Sequence, residues 1–171
     1  AVSFFETGNP AGSGDDVLLV TDRNPNTAGV RALLETDPLP IAELPQGIES
    51  GRFTHLVALG TRLKEPEVEQ KLSTQRVTRV VLGSHQGPLA KDANVLFGVA
   101  YVPETTGTHI NIGGVAQCSY RAVRPPSGVV PAYQVLAGIA YALEHGPRRM
   151  TFNEVRALIS AEELELPSNM E

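Results

Sequence analysis

Phe53-Thr54-His55-Leu56-Val57-Ala58-Leu59-Gly60, Val77-Thr78-Arg79-Val80-Val81-Leu82-Gly83 and Val95-Leu96-Phe97-Gly98-Val99 decide the fold class. Each is a short apolar run rich in β-formers, and the first two close on a glycine. Strands that read as continuous apolar runs, rather than as strict alternation, belong to sheets buried on both faces. Between them the chain offers short helices. Pro66 sits where a first turn tolerates proline, so Glu65 to Ser73 reads as helical, and Leu89 to Asp92 is a shorter piece. This alternation implies an α/β fold, an open and mostly parallel sheet with helices on both faces.

Working outward, Val17-Leu18-Leu19-Val20-Thr21 reads as a further buried strand that runs into the turn Asp22 to Asn26. Thr27 to Glu35 reads as a helix with Val30, Leu33 and Leu34 on one face. Three prolines between 36 and 45 mark an irregular connection, and Pro45 to Gly51 is a helical turn or two. Beyond Tyr101, the polar and glycine-rich stretch 105–124 reads as loop and short hairpin. Pro131 to His145 is a helix carrying Val135, Leu136, Ile139 and Leu143 at helical spacing, and Gly146-Pro147 stops it. Thr151-Phe152-Asn153-Glu154 has the capping-box pattern and opens a helix from Phe152 to about Glu165. The expected organisation is a loose lead-in over 1–14, an α/β domain over 15–145 and a C-terminal helical tail over 146–171 packed on it. The first residue is Ala rather than Met, so the chain is expected to be a piece of a longer one.

Composition limits the function classes. The 171 residues carry 14 Lys+Arg against 19 Asp+Glu, a net charge of −5, which speaks against a nucleic-acid partner. No apolar run approaches the roughly 18–20 residues of a membrane span, so no direct insertion is expected. The lone Cys118 excludes an internal disulfide and any all-cysteine cluster site within the chain. No nucleophile elbow, phosphate loop or dinucleotide fingerprint is present. His55, His85, His109 and His145 are nowhere spaced by three or four residues, so no helical metal pair exists.

Two segments attract a functional reading. Gly83-Ser84-His85-Gln86-Gly87 follows the 77–82 run, and open α/β sheets bind ligands beyond the carboxyl ends of their strands. Arg62 lies at the same expected edge. The second segment is Glu104-Thr105-Thr106-Gly107-Thr108-His109-Ile110-Asn111-Ile112-Gly113-Gly114, whose glycines and short polar side chains suit a tightly specified loop. A Thr or Asn in this loop could equally contact a ligand, and the residues alone leave both readings open.

Ala93, Glu104, Gly107, Thr108, Asn111, Gly114 and Gln117 fall in step with a pattern of the molybdopterin oxidoreductase superfamily: A-D-V-V-L-P, a spacer, then E-x-x-G-T-x-x-N-x-E-G-R-x-Q. The stretch Ala122 to Leu136 continues the likeness, which covers about Val77 to Ala142. Within the superfamily the chain most resembles the large iron–sulfur subunit of respiratory complex I, the NADH–quinone oxidoreductase. The resemblance implies a molybdopterin-oxidoreductase-like fold retained as a non-catalytic scaffold, with electrons moving through iron–sulfur clusters held in upstream domains outside this sequence. It implies the other subunits of the respiratory complex as partners and a cytoplasmic location, peripheral to the inner face of the cell membrane. No cofactor and no metal is then expected in this chain, and no residue is catalytic. Gly113-Gly114-Val115 stands where the family has Glu-Gly-Arg, so two charged groups are lost. The alternatives are the pterin-dinucleotide-binding part of a true molybdenum or tungsten oxidoreductase, such as a formate dehydrogenase relative, and a free-standing small-nucleotide-binding module. In the first, Ser84, His85, Gln86, Thr108 and Asn111 would contact molybdopterin guanine dinucleotide.

Overall fold

The computed structural model describes residues 2–9, 12, 14, 15, 24, 26–34, 36–111, 114–145 and 149–157. Its elements are α1 (Thr27–Ala32), α2 (Leu44–Glu49), β1 (His55–Leu59), α3 (Pro66–Thr74), β2 (Thr78–Gly83) and α4 (Pro88–Lys91). They continue with β3 (Val95–Gly98), β4 (Gly107–Ile110), β5 (Ala116–Ser119), α5 (Ala132–Ala142) and α6 (Phe152–Ala157). The fold is mixed α/β. The three apolar runs form a parallel sheet of order β1-β2-β3, with Val57 beside Val80 and Val80 beside Val95. A second sheet is the antiparallel pair β4-β5, in which Thr108 stands opposite Cys118. The strand expected at Val17–Thr21 lies outside the described residues, as does the tail beyond Ala157.

The main core lies on one face of the parallel sheet. Leu44 and Ile48 of α2, Val68 and Leu72 of α3, Leu89 of α4 and Val81 of β2 form one buried cluster, with Leu56 and Ala58 packed against it. Leu72, Val81 and Leu82 are the most deeply buried large side chains. On β1 the alternate residues Val57 and Leu59 stay 51% and 66% exposed. A cleft of about 660 Å³ runs along this strand, lined by Phe4, Val57, Leu59, Arg62, Leu63 and Leu136 among others.

Arg79 breaks the apolar run of β2 yet is buried. Its guanidinium donates to the carbonyls of Leu72 and Gln75, the last groups of α3. A helix end leaves carbonyls without intrahelical partners, and a cation suits the negative end of the helix dipole. Asp92 stands 3.7 Å away as a half-exposed counter-ion. The charge in the strand therefore locks α3 to the sheet. Residues of the lead-in are fastened as well. Phe5 meets the ring of Phe53 edge-on at 5.2 Å, and Thr7 hydrogen-bonds the carboxylate of Glu65.

Candidate functional site

The carboxyl ends of the parallel strands place three loops together. After β1 the chain turns at Gly60, whose N–H donates to the Leu82 carbonyl at 2.8 Å. Thr61 then packs so tightly that a side chain on Gly83 or Gly87 would collide with it. The Thr61 carbonyl accepts the Leu89 N–H at 3.0 Å, which fixes the start of α4. After β3, Val99 donates to the Gly83 carbonyl and Ala100 to the Val130 carbonyl, so the route to α5 crosses the same edge.

Ser84, His85 and Gln86 stand exposed in the loop after β2, where the sequence put them. Ser84 Oγ and His85 Nδ1 lie 2.9 Å apart. The His85 ring meets the Tyr101 ring edge-on, centroids 4.9 Å apart. Sequence reading missed Tyr101. The signal was weak, since an aromatic just after an apolar strand reads as more of the same run. Arg62 lines the cleft along β1.

Thr108 and Asn111 belong to the other sheet. Thr108 sits in β4, and its hydroxyl oxygen is shielded from solvent with no hydrogen-bond partner among the described residues. Asn111 follows β4 and closes the hairpin onto itself. Its side-chain oxygen accepts the Val115 N–H at 3.0 Å, and its main-chain oxygen accepts the Gly114 N–H. Gly114 holds φ +78°, the left-handed conformation that favours glycine. Glu104, another pattern residue, accepts the Tyr101 N–H at 2.9 Å and caps the 3₁₀ turn Val102–Glu104. Asn26, at the start of α1, accepts the Ile110 N–H at 2.8 Å and ties β4 to the N-terminal part of the chain.

The five residues thus fall into two groups, three at the edge of the parallel sheet and two on the hairpin. Among the described residues no cluster of three or more His, Cys, Asp or Glu side chains is arranged to hold a metal. Cys118 is a half-buried free thiol, and no described helix is long and apolar enough to cross a membrane. The sequence matches no protein-family model and no curated protein.

Proposed function

We propose that the chain is a non-catalytic scaffold domain of the molybdopterin-oxidoreductase type, from the large iron–sulfur subunit of an NADH–quinone oxidoreductase. It supports electron transfer through iron–sulfur clusters held outside this sequence. One observation carries the reading: Glu104, Asn111 and Gly114, three residues of the resembling stretch, are engaged in building their own segment. Glu104 caps a turn, and Asn111 and Gly114 close a hairpin. A loop kept for its shape keeps such residues, whereas a loop kept for a ligand presents polar groups outward.

The second reading, a small-nucleotide-binding module, draws on the exposed Ser84-His85-Gln86 loop at the carboxyl edge of the sheet. The two readings part in a melting experiment with the full chain and guanosine diphosphate, the nucleotide end of the family's cofactor. The scaffold reading expects an unchanged Tm at millimolar ligand. A binder at a hundredfold excess over its Kd gains about 2.7 kcal/mol and melts visibly later. A saturable rise in Tm that disappears in His85→Ala would replace the scaffold reading with the nucleotide one. The pterin-binding alternative predicts molybdenum or tungsten near one equivalent in the native protein.

A further inference from the structure

The 3₁₀ turn Val102–Glu104 and the segment 120–124 are bound side by side. The Pro103 carbonyl accepts the N–H groups of both Ala122 and Val123, at 2.8 and 3.0 Å. The Arg121 N–H reaches Thr106 Oγ1. Val102, Pro103, Ala122 and Val123 are nevertheless exposed, Val102 at 62% and Val123 at 56%. Tyr101 and Tyr120 flank them, 48% and 60% exposed. The backbone here is rigid, because Glu104 holds the Tyr101 N–H and Thr105 Oγ1 holds the Val102 carbonyl. A fixed apolar knob in water is a cost unless something covers it, and a rigid knob loses little entropy on being covered.

Charge says what kind of surface fits. Arg121 and Arg124 stand exposed at the edge of the knob, and neither guanidinium makes an ion pair among the described residues. The chain as a whole carries −5, so this pair opposes the overall sign. Tyrosine and arginine are the side chains that protein interfaces concentrate. An isologous contact with a second copy would set arginine against arginine. A nucleic acid would leave the apolar centre uncompensated.

We infer that Val102, Pro103, Ala122 and Val123, with Arg121 and Arg124, form the docking surface for an acidic face of a neighbouring polypeptide. This deepens the scaffold reading and rests on it only for where that neighbour comes from. The test places photoreactive benzoylphenylalanine at Val102 or Val123 of the full chain, in the cells that make it, with a probe at the exposed Glu67 of α3 as control. The expected result is crosslinking from 102 and 123, but not from 67, to one polypeptide at a peptide rich in Asp and Glu. The double variant Arg121→Glu, Arg124→Glu should lower that yield about tenfold while leaving the Tm unchanged. Crosslinks to a second copy of the chain, or yields no higher than from position 67, would overturn the inference. A crosslinked neighbour outside the NADH–quinone oxidoreductase would sink the scaffold reading and keep the surface. A chain recovered within that complex but silent at 102 and 123 would do the reverse.

Discussion

The parallel sheet and the β4-β5 hairpin are held together by different forces. Leu72 and Val81, each about 1% exposed, fix the sheet against α2, α3 and α4. Among its described residues the hairpin has one buried apolar side chain, Ile110, and it depends on side chains that bond its backbone: Asn111 to Val115, Asn26 to Ile110, Ser119 to Gly107. An apolar core is cooperative and spreads the effect of damage, while local polar bonds fail one at a time. The difference teaches where single polar side chains carry local structure. Glu104, Asn111 and Gly114 lie in the polar region, where they shape the turn and the hairpin.

The largest effect is expected from the core. Leu72→Ala should cost roughly 2–5 kcal/mol and lower the urea midpoint of the whole domain. Arg79→Ala comes next. It removes the guanidinium from the Gln75 carbonyl just past α3 and from the Leu72 carbonyl, which keeps the Gln75 N–H, at about 1–3 kcal/mol. Its signature should be faster amide exchange in the last turn of α3 before the sheet opens. Asn111→Ala should cost about 1 kcal/mol, with faster exchange confined to 107–119 and an unchanged global unfolding midpoint. A global loss as large as that of Leu72→Ala would break the comparison.

The smallest effect lies outside both regions. Glu154 accepts the Thr151 N–H at 2.6 Å and the Thr151 hydroxyl at 2.8 Å, and its own N–H donates to that hydroxyl. Those bonds favour the carboxylate, the backbone one most, and hold Glu154 below the usual glutamate range. The folded value is the depressed one, so the contribution is present above the ordinary glutamate range and is lost as pH falls through the folded value. An NMR titration should show the Thr151 amide moving with Glu154 below the ordinary glutamate pKa, with the sheet unaffected.

The sequence made the parallel sheet legible because each strand is an apolar run, two of them stopped by glycine. β1, β2 and β3 fall inside the expected stretches, and Pro66 marks the start of α3. The placement of Ser84, His85 and Gln86 followed from the stop at Gly83. The hairpin was legible as a short hairpin somewhere in the polar stretch 105–124, but its strands were not, since four-residue strands have too few side chains to show a period. Asn111's role depends on Val115 across the turn, and Asn26 is 84 residues from the Ile110 it anchors. Pairings of that range leave no local trace. The apolar face expected on the 27–35 helix is only partly covered, with Val30 and Leu33 at 44% and 49% exposure. The role of Arg79 leaves no trace in its strand, because its hydrogen-bond partners are main-chain oxygens that no residue type reveals.

The central claim is that this domain serves an electron-transferring assembly as structure. The most direct measurement is gentle purification of the tagged full chain from its native cells, followed by assay of what accompanies it. The account predicts recovery in a complex that contains iron–sulfur clusters and oxidises NADH with a quinone acceptor, without molybdenum or tungsten. A chain recovered alone, or with molybdenum or tungsten near one atom per chain, would contradict it.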